Sequence, residues 1–396
     1  MCFSSRVASQ RKHPFSGSCV ELADGRPPHV PQRRRFAMAA SGQKGMYVNM
    51  NSGAVQAYLP PFRNALINGD MRINQRGTST NLASLTAVAT TTPGSWVTDR
   101  WNVFRQGFAA GASIGQGTGM VYADMPFADA GIATYGRIGR TAANAATTTI
   151  YCDYNMESLD SYRLVGKQVT LSFYYRTGTN FSDNFLTATL NSGTATDAAF
   201  RSGTFTSFAT TAFAKSSSWV RATATGTVPT SAAQVCLRFF YTPVGTAGNA
   251  DHFDFTGLQL ELGSVATPFE VRPYPVELQM CQRYCESIPG NYGFVLGVGF
   301  WDAGTARVLY VYKVQKYRVC TIDTSTLNFI NNVNLSSFSV VVVGVGYIPV
   351  TSIAQAWSST LAHQFAFASS SSGTAGAGTV ALGQGGGGLI IFSAEL

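Results

Sequence analysis

Apolar and polar residues alternate in short blocks along most of this chain, and between Asn64 and Arg272 no helical repeat longer than two turns interrupts them. The clearest block, QVTLSFYYR at 168–176, sets Val169, Leu171, Phe173 and Tyr175 on one face and Thr170, Ser172 and Tyr174 on the other. That is the pattern of a half-buried strand. Val235, Leu237, Phe239 and Tyr241 repeat it, and residues 219–228 give a third strand that Pro229 stops. In 253–262 the apolar parity runs through Phe253 and Phe255, slips at Thr256-Gly257, and resumes at Leu258, Leu260 and Leu262. One inserted residue produces such a slip, so a β-bulge is expected there, with glycine supplying the unusual backbone geometry. Strands recurring behind Gly-rich and Ser-rich turns predict an antiparallel β-sandwich of jelly-roll type over 61–274.

The pattern then changes. Pro268, Pro273 and Pro275 forbid regular structure, and Pro275 is placed to begin a short connector helix within 275–289 whose apolar side is Leu278, Cys281 and Tyr284 or Cys285. Residues 292–301, 307–319, 337–350 and 389–393 are strand candidates of a second, small β-rich domain over 290–396, interrupted by the Gly-rich stretch 373–388. The fold class is therefore all-β. FSVVVVGVGYIPV would be an aggregation hazard on an exposed edge, and burial between subunits is the simplest rescue. A homo-oligomer is expected, with a trimer as the leading number. Leu278, Cys281, Cys285, Val341 and Val343 are the expected packing residues between domains or subunits.

Composition narrows the function. The net charge of +8 suggests nucleic acid until it is located, because residues 1–45 hold eight of the 28 Lys and Arg and only two of the 20 acids. The basicity belongs to a flexible arm over 1–60, so no nucleic-acid partner is expected. Met38 and Met46 are alternative starts to Met1. No apolar run reaches the ~20 residues that span a bilayer, so no membrane insertion is expected. Seven scattered cysteines without framework spacing argue for free thiols, and four histidines in the whole chain leave Cys281 and Cys285 short of ligands for a metal site.

The segments NALINGDMRINQRG (64–77), TDRW (98–101), LVGKQVTLSFYYR (164–176), SWVRATATGTVP (218–229), FDFTGLQLELGSVATPFEVRPY (253–274) and ELQMCQRYCE (277–286) together resemble a group of bacteriophage tail-fibre and virion-appendage proteins. In that family a carbohydrate-binding-module-like jelly roll precedes a CQRYY-type helix and a β-rich tip; here Cys285 stands where the family carries Tyr. The resemblance implies a virion protein that contacts host surface glycans as a trimer, attached to the particle and to other virion proteins through its N-terminal arm. A non-adhesive decoration or connector protein is the alternative, and a glycan depolymerase a third reading. The motifs INGD, DRW and QLELG are expected to determine the fold, not to bind.

Enzyme signals are weak. Gly111-Ala-Ser113-Ile-Gly115 has the letters of a nucleophile elbow without a helix signal after it, and Gly383, Gly385 and Gly388 leave no room for a βαβ unit. Asp153, Glu157 and Asp160, and Asp251 with Asp254, are the carboxylate groupings a glycosidase would need, but surface and capping roles are expected for them. No enzyme is expected. Glycan binding asks for aromatic faces beside polar groups. The outward candidates are Tyr174 and Phe240 by strand parity and Trp301, Tyr310, Tyr312 and Trp357 in the tip. No cofactor is expected, although a jelly roll of this kind admits a structural Ca²⁺ held by carboxylates and loop carbonyls.

Overall fold

The computed structural model describes residues 46–49, 54–57, 61–76, 86–87, 95–118, 131–201, 203–289, 295–302, 304–322, 338–342, 345–369, 375–383 and 389–395. The chain divides into two compact units at Pro60/Pro61. In the first, Met46–Asn49 (β1) and Ala54–Ala57 (β2) pair as an antiparallel hairpin. The rest of the arm lies outside the described residues.

The second unit opens with a β-sandwich. Its strands are Thr86–Ala87 (β3), Ser95–Thr98 (β4), Trp101–Arg105 (β5), Ala112–Thr118 (β6), Thr134–Arg140 (β7), Ile150–Asn155 (β8), Gln168–Thr177 (β9), Phe185–Gly193 (β10), Phe205–Ala214 (β11), Val220–Thr227 (β12), Gln234–Tyr241 (β13) and His252–Leu262 (β14), with a short helix Ser158–Tyr162 (α1) after β8. They form two six-stranded antiparallel sheets, ordered β11-β10-β13-β8-β5-β4 and β12-β9-β14-β7-β6-β3. Inward parity fills the space between them with Val103, Ile150, Cys152 and Phe239 from one sheet and Leu171, Phe173, Phe255 and Leu260 from the other. Such burial supplies the main driving force of the fold.

The expected bulge is present. The β14–β9 register shifts between Thr256 and Gln259, and Gly257 has φ +62°. A Cβ at Gly257 would lie 2.8 Å from Tyr174 Cδ2, so glycine is required on both counts. One expectation about β9 is corrected. Thr170, Ser172 and Tyr174, read as the solvent face of a half-buried strand, are buried too. The chain after β14 returns over them: Thr170 Oγ1 donates to Gly263 O, and Thr267 Oγ1 donates to Glu261.

The INGD and DRW motifs lock the sandwich. Asn68, with φ +58°, donates to Ile73 O and Asp99 O and accepts from Ile73 N, while Trp101 Nε1 donates to Asn68 O. Asn64 spans to β14 through Leu258 O and Leu260 N. These buried amides satisfy backbone groups that have no ladder partner.

The helix Tyr274–Gln282 (α2) has Pro275 in its first turn, as expected, but it ends before Cys285. Cys285–Pro289 is strand β15, so Cys281 and Cys285 do not share a helix. The remaining strands are Val295–Asp302 (β16), Thr305–Val311 (β17), Thr321–Ile322 (β18), Phe338–Val342 (β19), Gly346–Ser358 (β20), Ala362–Ser369 (β21), Gly378–Gly383 (β22) and Leu389–Ser393 (β23). A three-stranded sheet β15-β23-β18 sits beside a closed antiparallel barrel β16-β17-β21-β20-β19-β22. The valine-rich run needs no second chain to cover its edges, because β19 is paired with β20 and β22 while Val340 and Val342 fill the barrel. Val341 is half-buried on the outer side, and Val343 lies outside the described residues. No helix among the described residues is long and apolar enough to cross a membrane.

Ion pairs tie the sandwich to the β15-β23-β18 sheet beside the barrel. Glu395 receives Arg76 Nη2 at 3.2 Å and Arg100 Nη1, and Arg76 also meets Asp99 at 3.2 Å. Glu286 pairs with Lys316, and both oxygens of Glu157 accept from one edge of Arg283 at 2.7 and 2.9 Å.

Candidate functional site

The outer face of the first sheet collects chemistry that parity alone dictates. Residues 102 and 104 of β5, 151 and 153 of β8, 238 and 240 of β13, and 187 and 189 of β10 all point away from the core. Register sets them in two rows: Phe104, Tyr151, Phe240 and Thr187 in one, Asn102, Asp153, Arg238 and Thr189 in the next. Trp96 extends the second row at the β4 edge, opposite Asn102.

The first row is aromatic. Phe104 and Tyr151 stack with centroids 5.0 Å apart and planes at 24°, and Tyr151 and Phe240 follow at 5.9 Å and 46°. Tyr151, Phe240 and Trp96 are half-buried, leaving part of each ring open. The second row is polar. Both oxygens of Asp153 accept from one edge of Arg238, Nε and Nη2 each at 2.7 Å. The Arg238 guanidinium lies 4.4 Å from the Tyr151 ring and 4.0 Å from that of Phe200, whose backbone N–H is tied to Asn155 Oδ1. From the β10–β11 loop Arg201 reaches over the Phe104 ring at 4.9 Å. Burial pushes the Asp153 carboxyl up, and its Arg238 bonds oppose this. Burial also holds the Arg201 pKa below the ordinary range, with Asp153 working against that and Arg238 adding to it. Two buried polar atoms here have no hydrogen-bond partner, Asn102 Oδ1 and Arg201 Nη1. Half-buried rings beside a rigid charged fork offer what a sugar ring requires, an apolar face for its C–H side and fixed polar groups for the hydroxyls at its rim.

Of the aromatic candidates read from sequence, Phe240 lies in this face. Tyr174 does not bind from an open surface: it is buried with Ile132, Tyr135 and Trp219 beneath Phe269. Trp301, Tyr310 and Tyr312 are also corrected, since all three belong to the interior of the barrel cluster, where Tyr310 donates to Glu286. Trp357 is 53% exposed on the barrel, and Tyr347, not singled out from sequence, is 69% exposed. Cys281 is fully buried in the sandwich core, Leu278 packs partly buried against it, and buried Cys285 accepts from Gln75 Nε2 through its carbonyl. The five described cysteines are free thiols.

Of the carboxylates expected on the surface or at caps, Asp160 is half-buried in the first turn of α1, while Asp153, Glu157, Asp251 and Asp254 are instead buried and spent on arginines. Asp254 meets Arg137 and Arg176, Asp251 meets Arg140 at 2.6 Å, and Glu157 meets Arg283. Ser113 sits within β6, and its hydroxyl donates to Gly139 O. Gly385 and Gly388 lie outside the described residues. Among the described residues no group of three or more His, Cys, Asp or Glu could hold a metal ion. At one end of the sandwich, loop carbonyls of Asn144, Ala146, Val244 and Gly245 converge on the Arg140 guanidinium. A cleft of about 220 Å³ between Phe62, Arg163, Arg272 and Met280 carries no comparable aromatic row.

Sequence reasoning missed Phe104, Tyr151 and Arg201, and took Asp153 for a surface or capping carboxylate, because β5 and β8 are short and rich in polar residues. The alternation in IYCDYN, with Tyr151 and Asp153 opposite in parity to Ile150, Cys152 and Tyr154, was the available signal.

No family model matches the chain, and no curated protein matches it. Solved structures do. A carbohydrate-binding module of the CBM4 class is 15% identical with a TM-score of 0.30, over 50% of this chain and 98% of that one. The CBM22-1 xylan-binding domain of Xyn10C from Paenibacillus barcinonensis is 12% identical with a TM-score of 0.27, over 46% and 97%. The enzymatically active domain of tailspike protein 4 of bacteriophage CBA120 is 11% identical with a TM-score of 0.32, over 55% of this chain and 23% of the tailspike domain. At these identities and scores none of them decides what this chain binds.

Proposed function

We infer that the chain is a non-enzymatic glycan-binding protein, and that the outer face of the first sheet is where sugar docks. The observation that carries this is the half-buried pair Tyr151 and Phe240, in consecutive register with buried Phe104 and beside the Asp153–Arg238 fork. Aromatic stacking supplies contact area without ordering flexible side chains, and the fork supplies fixed polar partners. The ordered motifs of 64–286 support placing it on a phage virion, as a tail-fibre or appendage subunit that contacts the host surface. Among the described residues of this face the carboxylate is Asp153, and its pairing with Arg238 favours binding over cleavage.

The test is binding of the full chain, displayed at high valency, to a glycan array and to host cells. Tyr151→Ala and Phe240→Ala are each expected to weaken sugar binding about tenfold, the loss of roughly one good aromatic contact. No binding in that format would favour the decoration reading. Release of reducing ends from host polysaccharide would revive the depolymerase.

A further inference from the structure

We propose that the glycan bound on this face carries a carboxylate, as a uronic or sialic acid does, and that Arg201 is the residue that recognises it. This rests on the glycan reading of the same face. Arg201 and Arg238 share one carboxylate, Asp153, and both of its oxygens are given to Arg238. Arg201 is left with a buried Nη1 that meets no acceptor, and the charge in this cluster is one guanidinium in excess.

Leaving a buried donor unpaired is unfavourable, and more so when it is charged. A ring-stacked guanidinium in that state is relieved most by an incoming anion, because a charge-assisted bond is about twice as strong as a neutral one and a flat carboxylate matches the flat fork. A neutral hydroxyl would fill the position without neutralising the excess charge. Arg201 is already stacked on Phe104, so it is held in place before ligand arrives. Asn102 Oδ1, the orphan acceptor of the neighbouring row, then has a role as partner to a sugar hydroxyl, a group every such sugar offers.

The experiment titrates the full chain with two matched pairs: a short oligogalacturonate against its methyl ester, and sialyllactose against lactose. The expected result is about tenfold tighter binding of the acid in at least one pair. Arg201→Gln should bring that ratio close to one, Arg201→Lys should restore part of it, and Phe240→Ala should weaken both members together while keeping the ratio. Equal affinity within both pairs, or an acid preference that survives Arg201→Gln, overturns the proposal while leaving the glycan reading standing. Binding of no member of either pair overturns the proposal, and the glycan array then decides whether the glycan reading falls with it.

Discussion

His363 is fully buried among aromatic rings of the barrel, 4.6 Å from Phe365 and 5.3 Å from Phe392 between centroids, and neither of its ring nitrogens has a partner. Burial lowers its pKa from 6.5 to about 4. The folded chain therefore keeps the imidazole neutral while the unfolded chain protonates it, and stability is lost as pH falls from about 6.5 towards 4, by roughly 3 kcal/mol in all. Asp70 and Asp99 work in the opposite sense. Burial raises both to about 6 against the pull of Arg72 and Arg76, so protonation in the fold relieves them over much of the same window. The wild-type profile mixes the two, and a variant separates them. His363→Met, which fills a similar volume without a titrating group, should gain stability relative to wild type as pH is lowered from about 7 to 4 in parallel thermal melts. A constant difference across that range would mean that the imidazole is not what titrates. Neither the orphan histidine nor Arg201 could be read from sequence, because a missing partner is a property of everything that packs around a residue.

Among the elements, β14 was the most legible, since its parity slip is written in the order of its apolar residues and the register shift falls where they place it. Gly257→Ala would force a non-glycine residue to φ +62° against Tyr174 and Ile132, and should cost about 1–3 kcal/mol in a denaturant titration. A neutral effect would show that the bulge can relax into a regular ladder. Strands β9 and β13 were equally plain on their inner faces. Their outer faces were not, because periodicity reports which residues share a side and never what lies over it. Tyr174 was lost to Phe269 and the returning chain, while Phe240 on the other sheet was left open. In the barrel the run 337–350 was read as one strand and is two, β19 and the start of β20, which pair with each other, and the hazard of its edge vanished once β19 found neighbours on both sides. Ring closure is set by strands far apart in sequence, so alternation within one segment carries no trace of it.

At the scale of the whole molecule, the sandwich and the barrel with its adjoining sheet keep separate hydrophobic clusters and are joined through charge. Glu395→Gln would leave Arg100 buried without its carboxylate and weaken Arg76, which keeps Asp99; breaking a buried pair of this kind costs about 3–5 kcal/mol. Calorimetry should show a lower Tm with the sandwich and barrel still melting together, and two separated transitions in the wild type would contradict the coupling. The sequence showed a change of texture near the prolines of 268–275 but not that residues on either side of it share one electrostatic knot. The same knot also bears on synthesis. Arg76 and Arg100 are separated from Glu395 by 319 and 295 residues, so while the chain is being translated the sandwich must assemble around Arg100 before its carboxylate exists, with Arg76 held by Asp99 alone. A nascent sandwich is thus held short of its final stability until almost all of the barrel has been made, and an interrupted translation product carries an uncompensated charge that marks it as incomplete.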